Sequence, residues 1–213
     1  MFRKNIIITG ATGLLGSYFF KKYKSKYKII KYPYRIEKYN KFQNWISNKK
    51  FDFFIHFASI TNNNKSNLKK INLINVKSTI NLLRSIQKKN IKNFKYFLFI
   101  STSHVYGFSK NKIKENKKRI PYSAYGNSKK RVEDFIIDNR NKFFFKIGIA
   151  RIFNITGPKQ RDGYFIPDII KKIRKENNIK NINHFRDFIH IDDVCESIVN
   201  IMERKFEHPI NIS

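Results

Sequence analysis

Ile6-Ile-Ile-Thr-Gly-Ala-Thr-Gly-Leu-Leu-Gly16 decides the fold. A β-branched apolar run ends in glycines at 10, 13 and 16, and a helix-compatible pattern (Leu14, Leu15, Tyr18, Phe19, Tyr23) begins among them. The order is strand, tight turn, helix. Residues without a Cβ let such a turn take positive φ and let the backbone approach a ligand. The helix N-terminus then offers free N–H groups and a positive dipole end to an anion such as a pyrophosphate. The spacing is G-x-x-G-x-x-G rather than G-x-G-x-x-G, and either alone is weak; the strand before and the helix after give it weight. The plain alternative is a glycine-rich βα turn that binds nothing.

Outward from this turn the pattern alternates. Strands are predicted at 27–32, 51–57, 94–100, 142–150 and 188–191, and helices at 39–50, 68–89, 122–139, 167–176 and 193–203, the last capped by Asp192. Phe51 to Phe57 is near-continuously apolar, as in parallel strands buried on both faces. Asn-rich residues 61–67 and Lys-rich residues 110–120 are loops. The alternation predicts an α/β, doubly wound Rossmann-type parallel sheet with helices on both faces. No linker divides residues 1–213, which form one domain; residues from about 154 onward supply a minimal, incomplete substrate-binding portion.

Composition narrows the class. A hydrophobic content of 41% with 21 Phe suits a folded chain. No apolar run reaches the roughly 18 to 20 residues that span a bilayer, and the N-terminus lacks a signal-peptide pattern. The single cysteine, Cys195, excludes an internal disulfide framework and points to a reducing cytoplasm. The formal charge of +30 raises the question of nucleic acid. Lysine is spread through the whole chain, however, and its clusters at 21–28, 110–119 and 171–175 are not interleaved with a stacking platform. The expectation is nonspecific polyanion binding at low salt, with no specific nucleic-acid partner and no membrane partner. His56 and His190 read as structural histidines, and no cluster has metal-ligand spacing.

Tyr125-Gly-Asn-Ser-Lys129 sets a phenol and an ammonium at i and i+4 of one helix. A neighbouring cation favours the phenolate, so Tyr125 can serve as an acid/base. Y-x-x-x-K is common by chance; here it follows by one βα unit the hydroxyl-rich strand end Ser101-Thr-Ser-His-Val-Tyr-Gly107, at the carboxyl edge where such sheets bind ligands.

Seven motifs in order resemble the extended short-chain dehydrogenases/reductases that act on nucleotide sugars, the NAD-dependent epimerase/dehydratase family. They are the glycine turn, Asp52 to Ala58 (D-x-V-x-H-x-A), Asn75 to Leu83, Ser101 to Gly107, Pro121 to Glu133, Arg151 to Pro158 and Arg186 to Asp193. The resemblance implies a cofactor, NAD or NADP, held by Gly10, Thr12, Gly13, Leu14, Gly16, Arg35, Phe57, Ala58, Ser59, Asn75, Tyr125 and Lys129. It implies Tyr125 as the acid/base, Lys129 on the nicotinamide ribose, and Thr102 on the reacting sugar oxygen. Ser103 and His104 would line the substrate site, with Asn154 and Arg186 on the substrate's nucleotide or pyrophosphate. The implied reaction is epimerisation or ketone reduction with hydride transfer at a sugar carbon, C4 by expectation. A homodimer is compatible with it.

Two departures refine this. The family's 4,6-dehydratases carry Asp-Glu after the Thr, where this chain has Ser103-His104, so elimination of water is disfavoured. After the second strand stand both Arg35, suited to a 2′-phosphate, and Glu37, suited to a ribose hydroxyl, which leaves NADP and NAD both open. The segment 33–51 is short for the usual extra strand and helix. The family's further hundred or so residues are missing, which leaves as the alternative a non-catalytic dinucleotide- or RNA-binding module on the same fold.

Overall fold

The computed structural model describes residues 3–61, 67–91, 93–158, 160, 164–175 and 186–213. Most of the Asn-rich loop and the predicted helix end at Glu176 lie outside them. The chain runs β1 (Asn5–Thr9), α1 (Leu14–Tyr23), β2 (Lys28–Lys31), α2 (Tyr39–Ser47), β3 (Phe53–His56), α3 (Leu68–Ile71) and α4 (Thr79–Lys89). It continues through β4 (Tyr96–Thr102), α5 (Ala124–Asn139), β5 (Lys146–Ile152), β6 (Asn154–Thr156), α6 (Phe165–Arg174), β7 (Phe188–His190), α7 (Ile191–Arg204) and β8 (Pro209–Ile212).

Six strands form one parallel sheet in the order β2-β1-β3-β4-β5-β8, so the chain crosses over once from β2 to β3 and builds outward on the other side. The doubly wound fold expected from the alternation is present. Residues 33–51 supply only α2 between β2 and β3, so the sheet ends at β2.

Period-2 alternation assigns the apolar strand residues to two cores. Ile7, Phe54, Phe97, Ile147 and Ile149 pack with Phe42, Ile46, Leu83, Ile86, Val132 and Ile136 of α2, α4 and α5. Ile6, Ile8, Phe53, Ile55 and Leu98 pack with Phe19 of α1 and Val194, Ile198 and Met202 of α7. Both faces are therefore covered, and ligands are left the strand ends. Cys195 is buried in the second core. Among the described residues no helix is long and apolar enough to cross a membrane.

Four expectations are corrected. The helix predicted over 68–89 contains a π-helical stretch, Asn72–Ser78, in which Ser78 Oγ donates to the Leu73 carbonyl at 2.8 Å. Leu68, an apolar residue at the start of that helix, is exposed rather than packed. The strand predicted at 142–150 begins at Lys146, because Arg140–Lys142 form a 3₁₀ turn that extends α5. Asp192 does not cap α7: the cap is His190, whose Nδ1 accepts the Asp192 N–H at 3.3 Å, and Asp192 lies in the first turn.

Candidate active site

β1 ends at Thr9 and the chain turns at Gly10, where φ is +67° and a Cβ would sit 2.6 Å from the Ala58 nitrogen. A Cβ on Gly16 would lie 2.3 Å from the Gly10 carbonyl oxygen, so α1 can approach the turn only without a side chain there. α1 has no side-chain N-cap and no acidic residue in its first turn. Its first N–H groups are thus left for an outside anion, and the residues present fit a dinucleotide pyrophosphate.

β3 ends beside this turn. Thr9 Oγ1 accepts the Ala58 N–H at 3.3 Å and lies 2.9 Å from His56 Nδ1, while His56 Nε2 lies 3.0 Å from Thr79 Oγ1. The ring is fully buried, and burial first, then the Lys129 charge, lowers its pKa to about 3. His56 is therefore a neutral brace between β1 and α4. Asn75 is also buried; its amide oxygen accepts the Ile60 N–H at 2.8 Å, and its nitrogen donates to the Ile60 carbonyl at 2.9 Å and to Ser128 Oγ at 3.0 Å. The π-helical stretch thereby anchors Ile60 against α5. Ser59 Oγ is buried without a hydrogen bond of good geometry among the described residues. Thr12 is exposed, and Phe57 packs on Phe19 with ring centroids 5.4 Å apart. Arg35 and Glu37, the two cofactor-selecting alternatives, pair with each other at 2.7 Å.

At the end of β4, Thr102 is buried and its Oγ1 accepts the His104 N–H at 3.3 Å, starting a 3₁₀ turn. α5 starts at the Ser123 cap, whose Oγ accepts the Gly126 N–H at 3.0 Å, and brings Tyr125 and Lys129 to this strand end. A Cβ on Gly126 would lie 2.5 Å from the His104 carbonyl oxygen, which is how closely the helix sits on the turn.

The electrostatics differ from the expectation of a Tyr acidified by its Lys. Burial raises Tyr125 to about 12; the neighbouring hydroxyls of Thr102 and Ser59 pull the other way, and Tyr164 adds to the rise. Lys129 is buried, and desolvation lowers it to about 7 against the support of Glu133. Its Nζ donates to the Ile100 carbonyl at 2.7 Å and lies 5.9 Å from the Tyr125 ring centroid. Desolvation is the largest influence on both groups, and it disfavours the charged form of each.

His104 packs edge-on to Tyr125 at 5.7 Å and parallel to Tyr122 at 6.1 Å. Burial and then the charge of Arg186 lower its pKa, and its Nδ1 is buried without a partner among the described residues. Ser103 is half-buried beside it. β6 pairs with β7, which sets Asn154 beside Asp187, the residue after Arg186: Asn154 Nδ2 donates to the Asp187 carbonyl at 3.0 Å, and Arg186 lies over the Phe165 ring at 4.6 Å. Arg186 is exposed.

His56 is the structural histidine expected from the sequence, whereas sequence reasoning passed over the roles of Thr9, Thr79, Glu133 and Arg151, all buried polar groups at this sheet edge. The available signal was a buried-type strand carrying a polar residue as it reached the carboxyl edge. Among the described residues no group of three or more His, Cys, Asp or Glu could hold a metal.

GDP-6-deoxy-D-talose 4-dehydrogenase of Aggregatibacter actinomycetemcomitans is 28% identical over 97% of this chain and 73% of its own. Human dTDP-D-glucose 4,6-dehydratase is 27% identical over 73% of this chain, but only 45% of its own length is matched. The UDP-glucuronic acid 4-epimerase of Bacillus cereus, solved in complex with NAD, superposes with a TM-score of 0.82 at 25% identity, covering 98% of this chain and 76% of that one. Residues 6–213 match the family model described as the NAD dependent epimerase/dehydratase family. With the glycine turn, the hydroxyl-rich end of β4 and the Tyr125–Lys129 pair meeting at one sheet edge, the chain belongs to that family.

Proposed function

We propose that this protein is an NAD(P)-dependent nucleotide-sugar epimerase or ketoreductase that works at a sugar carbon, C4 by preference, with Tyr125 as acid/base. The observation that carries the reading is the convergence of Thr102, Tyr125 and Lys129 at the strand end beside the glycine turn. The dinucleotide, NAD or NADP, supplies the hydride acceptor when bound. Gly10 to Gly16 would hold its pyrophosphate, and Lys129 would face its ribose.

Tyr125 takes the proton of the sugar hydroxyl whose carbon is oxidised, and Thr102 hydrogen-bonds the same oxygen. A phenol held near 12 is a poor base, so proton transfer requires it to be acidified as the site fills. The Lys129 ammonium acts in that direction, as would the positive charge of an oxidised nicotinamide. Tyr125 returns the proton when the ketone is reduced; reduction on the opposite face gives the epimer. Ser103 and His104 supply no carboxylate, which favours these reactions over elimination of water. Asn154 and Arg186 are assigned to the nucleotide diphosphate, for which a guanidinium is a matched donor.

The test is hydride exchange with UDP-, GDP- and dTDP-sugars, with product analysis, in the wild type and Tyr125→Phe. Turnover lost by at least about 10²-fold in the variant, the usual scale of acid/base catalysis, supports the reading. No exchange in the wild type, or an unaffected variant, sinks it and leaves a non-catalytic dinucleotide-binding module.

A further inference from the structure

Tyr125, Lys129 and Glu133 follow each other at i, i+4 and i+8 and share one stripe of α5. The Glu133 carboxylate is fully buried, and three other elements converge on it. Ser101, at the end of β4, donates to it from Oγ at 2.5 Å. Arg151 of β5 donates from Nη2 at 2.7 Å and from Nε at 3.1 Å, a planar fork on a planar acceptor. Arg119, from the Lys-rich loop, donates from Nη1 at 3.0 Å and reaches Asp134 with Nη2 at 2.8 Å.

The hub extends further. Arg151 Nη1 donates to the Tyr106 hydroxyl at 2.6 Å and to the Glu115 carbonyl at 2.9 Å, and Tyr106 donates to Asn211 of β8 at 2.8 Å. Ser101 stands between Ile100, whose carbonyl holds Lys129, and Thr102. One carboxylate therefore ties the strand end of the site to its helix, and the loop to both.

We propose that Glu133 is the positioning residue of this site: through Ser101 it fixes the strand end bearing Ile100 and Thr102, and one turn along α5 from Lys129 it is the counter-anion of that ammonium, a charge it shares with Arg151 and with Arg119 of the loop. This assigns a function to the loop, and it rests on the reading of Lys129 as the group facing the dinucleotide. The charged and titratable groups around the pair are Tyr125 on α5, His56 on β3, Arg151 on β5, Tyr106 after β4, Arg119 on the loop and Asp134 beside Glu133. Burial leaves Lys129 little other support, since desolvation already brings it to about 7. Two guanidiniums without the carboxylate would push the proton off.

Lysine labelled with ¹³C at Cε reads this directly, because a lysine titrating near neutrality stands apart from exposed ones near about 10.4. The wild type is expected to show one such resonance, absent from Lys129→Met. Glu133→Gln should lower its midpoint by about one pH unit or more, while Arg119→Gln should raise it, the opposite signs being what neighbouring charges require. The proposal is overturned if no lysine titrates near neutrality, or if the midpoint stays in place in the folded variants. Should Glu133→Gln fail to fold, the partly exposed Arg119 decides alone, since its loss leaves the Glu133–Arg151 pair standing. The titration needs no turnover, so a failure of the epimerase reading shows separately, in the Tyr125→Phe comparison.

Discussion

Lys129 Nζ donates a 2.7 Å hydrogen bond to the carbonyl of Ile100, which ties the ammonium on α5 to the strand that ends in Thr102. The bond compensates only part of what burial takes away, and the consequences can be measured.

Lys129 is depressed from 10.5 to about 7 in the folded chain. Between those values the unfolded chain binds the extra proton, so this group makes stability rise with pH, a contribution complete above 10.5 and lost as pH falls toward 7. Urea unfolding between pH 7.5 and 9 should show a slope steeper in the wild type than in Lys129→Met, by up to about 1.4 kcal/mol per pH unit. Equal slopes would mean that Lys129 titrates normally.

His56 behaves alike at lower pH. Its pKa of about 3 means that the folded chain refuses a proton which the unfolded chain accepts below 6.5. Stability from this group is full above 6.5 and drains as pH falls toward 3. His56→Phe should flatten that dependence yet cost about 1–3 kcal/mol at pH 7, because Thr9 and Thr79 lose a buried partner. A variant as stable as the wild type would refute the bracing role.

Gly16→Ala places a methyl 2.3 Å from the Gly10 carbonyl oxygen, so the turn must open. The expected outcome is dinucleotide affinity weaker by about tenfold or more, equivalent to about 1.4 kcal/mol, read by calorimetry on a chain that still unfolds cooperatively. Unchanged affinity would move the pyrophosphate elsewhere.

Arg35 and Glu37 neutralise each other at 2.7 Å. Glu37→Gln frees the guanidinium and should shift the NADP-to-NAD affinity ratio upward, while Arg35→Gln should shift it downward. If both variants leave the ratio alone, this pair does not read the 2′ position.

The charge of +30 predicts polyanion binding that disappears with salt. RNA retention should fall steeply between 50 and 200 mM salt in a filter assay. Retention that persists and competes with NAD(P) would favour the RNA-binding reading over bulk electrostatics.

Much of this was legible in the residues themselves. The run Ile6 to Ile8, the three glycines and the β-α alternation determine the doubly wound sheet, because strands covered on both faces must be apolar throughout and a strand-to-helix turn this tight admits no side chain at 10 or 16. The i, i+4 spacing determines that Tyr125 and Lys129 share a helix face. What only the tertiary structure decided is the charge state of that pair. Depth of burial and the groups met across the sheet set it, and neither is encoded in spacing along the chain: Tyr125 is held high, Lys129 is brought down, and Glu133, eight residues from Tyr125, is joined by Ser101, Arg119 and Arg151 only when β4, the loop and β5 close around it. Desolvation is a property of the assembled sheet edge, which no single segment contains.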